Sequence, residues 1–209
     1  MPRAWWRQTL SRLAKPWERQ KHSVATIDVV IPVLNEERAL PGCIKRLGEF
    51  LRTSMKQHNS RIVIADNGST DGTLDVCKEL ANRFPKQVSF VHLDQRGRGR
   101  ALRKAWLESD ADVVSYMDVD LSTGLEAFPT MISGIVDDGV HVAFGSRLAR
   151  GAKITRSAKR ELVSRTYNEI IRAVMRTSFK DAQCGFKALS RGAAQVLVPG
   201  IVNNHWFFD

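Results

Sequence analysis

Long apolar runs are missing from this sequence. No stretch approaches the roughly 18 consecutive apolar residues that a membrane-spanning helix needs, and charged residues make up 26% of the 209-residue chain. An integral membrane fold is therefore excluded for these residues. The apolar fraction of 43% is enough for one sizeable core, and the length predicts one domain or two at most.

Cysteine is also scarce. Cys43, Cys77 and Cys184 are odd in number, lie far apart and show neither a CxxC nor a Cys/His spacing. They support neither a disulfide framework nor a structural zinc site. Residues 1–21 carry scattered arginines and no apolar core of the kind found in secretory signals. The sequence thus predicts a chain that stays in a reducing compartment, the cytosol.

Acidic residues are too few to balance the basic ones. Lys and Arg number 32 against 22 Asp and Glu, which gives a net charge of +10 and a pI near 9.9. This excess predicts an anionic partner: nucleic acid, an anionic membrane or a phosphorylated substrate. Six of the basic residues lie within residues 1–21, together with Trp5, Trp6 and Trp17.

The charge distribution divides the chain into a basic arm, residues 1–24, and a folded domain, residues 25–209. Two interpretations of the arm stay open: a short amphipathic helix that lies on an anionic membrane surface, or a disordered basic tail. The chain stops in an aromatic run, residues 205–209, with no closing helix after it. We therefore expect the domain to be truncated at its C-terminus.

From residue 27 onward, short apolar runs alternate with helical spacing. The strand-like runs are residues 27–33, 61–65, 88–93 and 113–117. Residues 141–146 predict a fifth strand, and residues 163–174 predict a further helix. Strands that are continuously apolar indicate a mostly parallel sheet with helices on both faces, which is an α/β fold.

Ligands of open α/β sheets bind beyond the carboxyl ends of the strands. Asp118 and Asp120 follow the fourth predicted strand and flank one residue, so in an extended chain both carboxylates face the same side. Their like charges need a cation, and Mg²⁺ or Mn²⁺ suits oxygen ligands that share the ion with substrate phosphates. The GxGxxG motif of nicotinamide-binding folds is absent after the first strand.

Several ordered strand-end motifs resemble the family 2 glycosyltransferases, over about residues 27–209. The motifs are PVLNEE at 32–37, DNGSTDG at 66–72, QRGRGR at 95–100 and DVD at 118–120. The resemblance implies the GT-A fold, a mostly parallel sheet that binds nucleotide sugars. It also implies that Asp118 and Asp120 would hold Mg²⁺ or Mn²⁺ on the donor diphosphate.

The same resemblance implies a nucleotide site at the neighbouring strand ends. Pro32, Leu34 and Glu36 would border the nucleoside, and Asp66 would accept a hydrogen bond from the base. Arg98 matches a basic position of relatives, and Asp118 would lie at the diphosphate. Two residues depart from family patterns: Asn67 stands where many members have a second Asp, and Ser122 stands where some mannosyltransferases have a metal-binding Gln.

The second half resembles the polyprenyl-phosphate sugar transferases. The segments are GSR at 145–147, KRELVSR at 159–165 and DAQCGFK at 181–187. In that group two arginines and a serine matching Arg147, Arg160 and Ser164 grip the phosphate of the lipid, which makes Arg147 a candidate catalytic residue beside Asp118 and Asp120. The QCGFK sequence is closer to the dolichyl-phosphate glucosyltransferases than to the mannosyl enzymes. This favours UDP-glucose over GDP-mannose as the donor.

The implied reaction needs positive charge more than a protein base. A phosphate monoester has a second pKa near ~6, so at neutral pH it is largely dianionic and already a nucleophile. Two phosphate-bearing substrates must approach each other, and guanidinium groups bind phosphate oxygens bidentately. Residues 147–165 supply such groups. A single displacement would invert the anomeric configuration and give a β-linked lipid-phosphate hexose at the cytosolic face of a membrane.

Two other functions stay open. A nucleic-acid or anionic-membrane binding module would explain the charge, but the acids after the second and fourth strands would repel a polyanion, and no nucleic-acid motif is present. A transferase acting on a soluble glycan would need a catalytic carboxylate in place of the basic segment. The five histidines lack metal or relay spacing and are interpreted as structural or exposed. The predicted partners are a nucleotide sugar, a polyprenyl phosphate and an anionic membrane surface, without nucleic acid.

Overall fold

The computed structural model describes residues 24–122, 124–145 and 185–205. The strands are β1 Thr26–Val33, β2 Asn59–Asn67, β3 Val88–Leu93, β4 Val113–Met117, β5 Val142–Phe144 and β6 Phe186–Ser190. The α-helices are α1 Leu40–Ser54, α2 Thr73–Arg83, α3 Arg98–Glu108, α4 Phe128–Val136 and α5 Arg191–Leu197. Short 3₁₀ turns span Leu125–Ala127 and Val198–Gly200. Within these ranges no helix is both long and apolar enough to cross a bilayer.

The strands form one mixed sheet in the order β3-β2-β1-β4-β6-β5. The pairs β1–β2, β2–β3 and β1–β4 are parallel. Strand β6 runs antiparallel to both β4 and β5. The prediction of a mostly parallel sheet is confirmed. From β1 the chain adds β2 and β3 on one side, and it then returns to add β4 on the other side of β1. The strand order therefore reverses between β1 and β4. Open α/β sheets bind ligands at such a reversal.

Two apolar cores cover the two faces of the sheet. Neighbouring residues of β1 point into opposite cores: Val29 and Ile31 pack in one cluster with α1, α2 and α4, and Val30 packs in the other with α3 and α5. This arrangement explains why the strands have continuous apolar runs instead of alternating ones. Phe128 and Phe186 are fully buried in the first core, and Trp106 packs against Tyr116 in the second.

Some elements differ from the sequence prediction. The fifth strand is shorter than residues 141–146 and is described over Val142–Phe144. The strand Phe186–Ser190 and the helices Phe128–Val136 and Arg191–Leu197 were not predicted. The spacing of a short apolar run does not distinguish a helix from a strand. In Phe186–Ser190, Lys187 also interrupts the apolar pattern. The predicted helix over residues 163–174 lies outside the described residues.

A buried ion pair ties the amino ends of the central strands together. Asp28 of β1 is 2% exposed, and its carboxylate accepts hydrogen bonds from Arg61 Nε at 2.7 Å and Arg61 Nη2 at 3.0 Å. Ser109 Oγ donates to the same carboxylate at 2.6 Å. The hydrogen bonds from Arg61 to Asp28, and a further one to Asp110, raise the pKa of Arg61 above its ordinary value. This network lies at the edge of the sheet opposite to the strand ends that carry the acidic motifs.

Removal of the Arg61 side chain should therefore destabilise the fold without changing ligand binding. We expect Arg61→Ala to lower the free energy of unfolding by about 1–3 kcal/mol, because it leaves a buried carboxylate without its cation. The guanidinium is 43% exposed, so water replaces part of the loss. Urea denaturation measures the effect. Arg52→Ala, at an exposed position in the last turn of α1, is the matched control, and equal stability of the two variants would contradict the prediction.

Candidate functional site

The carboxyl ends of β1, β2, β3 and β4 meet at one edge of the sheet. The parallel register aligns Val33 with Asp66 and Asp66 with His92. Strand β4 ends at Met117, directly before Asp118. Parallel strands present their carboxyl ends together, so the loop residues that follow each strand come close in space.

Side chains lock the loop after β1 to the loop after β2. The backbone N–H of Asn35 donates to Ser69 Oγ at 2.9 Å, and the N–H of Thr70 donates to Asn35 Oδ1 at 2.8 Å. The N–H of Glu36 donates to Thr73 Oγ1 at 2.8 Å. Asn35 has a φ of 58°, a left-handed conformation that asparagine tolerates better than most residues. Because both loops are fixed, the neighbouring Leu34 is held at the surface next to the ends of the strands.

Asp66 is the most deeply buried acid of the site. Its exposed fraction is 0%. Its Oδ1 accepts from the N–H of Ser69 at 3.3 Å, and its Oδ2 lies 2.6 Å from Nδ1 of His92. The other ring nitrogen of His92 lies 3.3 Å from Asp94 Oδ1. Asp66 is thus held by a turn of its own loop and by an imidazole from the neighbouring strand.

Asp118 and Asp120 have different partners. Asp118 forms an ion pair with Arg98, the first residue of α3. The guanidinium carbon of Arg98 lies 5.4 Å from the ring centroid of Tyr116. Asp120 is exposed and accepts a hydrogen bond from the backbone N–H of Ser122 at 2.9 Å. The turn that begins at Asp118 closes with a hydrogen bond from the N–H of Leu121 to Asp118 O at 2.9 Å. Leu121 has a φ of 49°, a strained conformation for leucine that fixes the direction of the chain after β4.

Gly185, the residue before β6, lies against Asp118. A Cβ atom on Gly185 would overlap the carboxylate of Asp118, so a larger residue here would force the carboxylate or the strand to shift. Two residues later, Lys187 is 5% exposed. Its Nζ lies 5.9 Å from the ring centroids of both Tyr116 and Phe144. Lys187 and Arg98 thus both lie close to the ring of Tyr116, and Arg98 brings positive charge to Asp118.

The carboxylate oxygens of Asp118 and Asp120 suit a hard divalent cation that also binds oxygens of a ligand. Among the described residues, no group of three or more His, Cys, Asp or Glu side chains could hold a metal by itself. Mg²⁺ and Mn²⁺ sites of nucleotide-binding enzymes often use one or two carboxylates and fill their remaining positions with phosphate and water. Asp118 and Asp120 fit that type of site and not a closed structural one.

Two described cysteines near the site, Cys43 and Cys77, are buried. Burial raises the pKa of Cys43 to about 12, with a further contribution from Asp120. Burial also raises the pKa of Cys77 to about 12, with a further contribution from Asp66. Both thiols stay protonated at neutral pH, so neither offers a thiolate as a nucleophile or metal ligand.

The amino end of α3 is closed by the chain itself. The N–H of Gly99 donates to His205 O at 3.1 Å, and the N–H of Arg100 donates to Asn204 O at 3.2 Å. Arg103 Nη1 donates to Ile201 O at 2.8 Å. Helix N-termini often bind phosphate through free N–H groups, but these two N–H groups already have partners. The N–H groups of Gly99 and Arg100 are therefore not free to bind an anion.

The structure brings together the predicted residues that it describes. Asn67, which departs from the family pattern, accepts a hydrogen bond from the N–H of Gly97 and so joins β2 to the start of α3. The contributions of His92, Tyr116 and Lys187 were missed, because they arise from pairing between distant strands. The predicted residues at this edge are Pro32, Leu34, Glu36, Asp66, Arg98, Asp118 and Asp120. The predicted acceptor residues Arg147, Arg160 and Ser164 lie outside the described residues.

The sequence profile of a known family, described as "Glycosyl transferase family 2", matches residues 28–198. The chain belongs to glycosyl transferase family 2. The chain is 30% identical over 202 residues to glycosyltransferase AglD of Haloferax volcanii, covering 94% of this chain and 32% of that protein. It is 31% identical over 212 residues to the dolichyl-phosphate beta-glucosyltransferase of Saccharomyces cerevisiae, covering 92% of this chain and 63% of the yeast protein. This family 2 chain therefore spans only part of the length of these relatives.

Solved structures confirm the fold of the family 2 domain. A Pyrobaculum calidifontis mannosyltransferase in complex with GDP-mannose and Mn²⁺ superposes with a TM-score of 0.58 at 20% identity, covering 92% of this chain and 52% of that one. Glucosyl-3-phosphoglycerate synthase of Mycobacterium tuberculosis, in complex with Mn²⁺, UDP-glucose and phosphoglyceric acid, gives a TM-score of 0.54 at 22% identity and covers 84% and 63% of the two chains. The predicted GT-A fold is confirmed.

The close approach of Gly185 to Asp118 can be tested with a single methyl group. We expect Gly185→Ala to lower the free energy of unfolding by about 1–3 kcal/mol, since either the carboxylate or the start of β6 must move. Gly134→Ala is the matched control, because a Cβ atom there meets nothing within 4 Å. In the interior of α4 that change should stabilise the domain by about 0.5–1 kcal/mol. Thermal unfolding that responds equally to both variants would contradict the described packing.

Proposed function

We propose that this chain is the catalytic domain of a polyprenyl-phosphate hexosyltransferase. It moves a hexose from a nucleotide sugar onto the phosphate of a polyprenyl lipid and inverts the anomeric configuration. One observation carries the proposal: Asp118 and Asp120, with Arg98 paired to the first of them, lie at the strand-order reversal of a family 2 GT-A sheet. Yeast and mouse relatives named dolichyl-phosphate beta-glucosyltransferase support the lipid acceptor.

The donor binds across the ends of β1, β2 and β4. Pro32, Leu34 and Glu36 border the nucleoside, and Asp66 recognises the base. The hydrogen bonds that join the loop after β1 to the loop after β2 support this assignment. Loops that are already rigid bind a base at a low entropic cost. Arg98 and Asp118 lie next to the diphosphate.

Asp118 and Asp120 hold Mg²⁺ or Mn²⁺ in this proposal. When bound, the metal ion neutralises negative charge on the nucleotide diphosphate as it leaves. The chain's own part is to fix the two carboxylates. Arg98 balances the charge of Asp118, and the N–H of Ser122 orients Asp120. Ser122 makes this contact with its backbone N–H, so the contact does not depend on which side chain stands at position 122.

The acceptor phosphate binds the basic segment that follows β5. Arg147 stands three residues after Phe144, the last residue of β5, and Arg160 and Ser164 follow in the same segment. Lys187 lies beside Phe144 and adds positive charge at the point where this segment begins. Guanidinium and ammonium groups at this place reduce the repulsion between the two phosphate-bearing substrates.

The reaction is one displacement at the anomeric carbon. An oxygen of the acceptor phosphate attacks this carbon as the bond to the diphosphate oxygen breaks, and the electron pair leaves with the nucleotide diphosphate. The attacking phosphate is dianionic at neutral pH, so no side chain has to remove a proton. Arg98, which pairs with Asp118, stabilises the negative charge of the departing diphosphate. Arg147 holds the attacking phosphate in line with the bond that breaks.

UDP-glucose is the favoured donor. The QCGFK sequence at residues 183–187 and the glucosyltransferase names of the relatives support glucose. The fold neighbours include one complex with GDP-mannose and one with UDP-glucose, so GDP-mannose is the second candidate.

The chain acts at the cytosolic face of a membrane in this proposal. The basic arm, residues 1–24, with its three tryptophans, supplies the attraction to an anionic lipid surface. The acids of the strand-end site disfavour the alternative of a nucleic-acid binding module, because they would repel a phosphate backbone that brings no metal.

A lipid-transfer assay tests the proposal. The 209-residue chain is mixed with radiolabelled UDP-glucose or GDP-mannose, Mn²⁺ and vesicles that contain dolichyl phosphate. We expect a labelled lipid with UDP-glucose that is absent when EDTA replaces Mn²⁺. Label transfer from GDP-mannose and not from UDP-glucose would identify mannose as the transferred sugar. Transfer to a soluble glycan in preference to the lipid would contradict the proposed acceptor.

The acceptor residues can be separated from the donor site by mutation. We expect Arg147→Ala and Arg160→Ala each to lower kcat/KM for dolichyl phosphate by about 10²–10³-fold, because each removes a cation from the reacting phosphate. Binding of the nucleotide, measured by calorimetry, should not change. Arg150→Ala, an arginine of the same segment that no motif matches, is the control. Normal transfer by both test variants would refute the acceptor assignment.

A further inference from the structure

His92 lies between two carboxylates at the carboxyl end of β3. Its Nδ1 is 2.6 Å from Asp66 Oδ2, and its Nε2 is 3.3 Å from Asp94 Oδ1. The side chain of Asp66 is 0% exposed, whereas that of Asp94 is 99% exposed. In the part of the chain that the structure describes, His92 is the only ion-pair partner of Asp66. The buried carboxylate therefore depends on this imidazole.

The register of the sheet makes the contact direct. Asp66 and His92 are partners in the parallel pairing of β2 and β3, so their side chains leave the same face of the sheet side by side. Ser69 N–H occupies the other oxygen of Asp66 at 3.3 Å. Each carboxylate oxygen thus has one protein partner, and the two partners together hold the carboxylate in place.

Fixed geometry decides what Asp66 can recognise. The oxygens of a carboxylate accept hydrogen bonds. Nδ1 of His92 holds Oδ2 of Asp66 at 2.6 Å, and the N–H of Ser69 holds Oδ1 at 3.3 Å. These two contacts fix the plane of the carboxylate and the direction of its acceptor oxygens.

We propose that His92 is a specificity-determining residue for the nucleobase, acting through Asp66. This inference rests on the proposed function, in which Asp66 recognises the base. By fixing the acceptor oxygens of Asp66, His92 favours bases with a ring N–H, which are uracil and guanine. Cytosine and adenine present a ring nitrogen lone pair at the corresponding position, and a carboxylate oxygen repels it.

The test compares nucleotides that differ in this ring nitrogen. Dissociation constants for UDP, CDP, GDP and ADP are measured by calorimetry with Mn²⁺ on the parent chain and on three variants. His92→Leu removes both ring nitrogens. His92→Asn keeps a donor close to the position of Nδ1. Asp94→Asn changes the exposed carboxylate alone and serves as the control.

We expect the parent to prefer UDP over CDP, or GDP over ADP. In His92→Leu this preference should fall by about tenfold or more, because the carboxylate of Asp66 then loses the contact that fixes its acceptor oxygens. His92→Asn should keep most of the preference, and Asp94→Asn should keep nearly all of it.

The outcomes separate the inference from the proposed function. If His92→Leu weakens both members of a nucleotide pair equally, His92 has only a structural role and the inference is overturned, while the proposed function stands. If the parent binds no nucleotide with Mn²⁺, or binds both members of each pair equally, the assignment of Asp66 to the base fails and the inference fails with it. Thermal unfolding of each variant identifies losses that come from the fold.

Discussion

The accumulation of carboxylates at one edge of a parallel sheet is the constraint on which the site depends. Asp66, Asp118 and Asp120 all follow strands whose carboxyl ends meet there, and like charges in one place are unstable without compensation. Each acid has its own partner: an imidazole for Asp66, a guanidinium for Asp118 and a backbone N–H for Asp120. The compensation is local and partial, which leaves the edge suited to a divalent cation and the phosphates it would carry.

The rest of the fold keeps this edge rigid. At the opposite edge, the buried pair of Asp28 and Arg61 joins β1 to β2 far from the acids. At the site itself, Asn35 links two loops, and Gly185 lets β6 lie against Asp118. These contacts fix the direction of the chain where each strand ends. The metal and the donor would then meet carboxylates that are already in position, which lowers the entropic cost of binding.

Much of the sheet could be predicted from the sequence because the central strands are buried on both faces and are continuously apolar. Strand β6 could not be predicted, since Lys187 interrupts its apolar pattern. Lys187 is buried next to the rings of Tyr116 and Phe144, which belong to the neighbouring strands. Asp118 and Asp120 were predictable from local spacing. The partners of these acids were not, because the pairing of Asp66 with His92 depends on the register between two strands.

The central claim is that Asp118 and Asp120 bind a nucleotide sugar through a divalent metal. Calorimetric titration of UDP and GDP into the parent chain and into Asp120→Ala, each with Mn²⁺ or with EDTA, tests it most directly. The account predicts nucleotide binding by the parent that requires Mn²⁺, and its loss in the variant, whose thermal unfolding stays close to that of the parent. Equal affinity of the parent with Mn²⁺ and with EDTA, or tight Mn²⁺-dependent binding by Asp120→Ala, would contradict it.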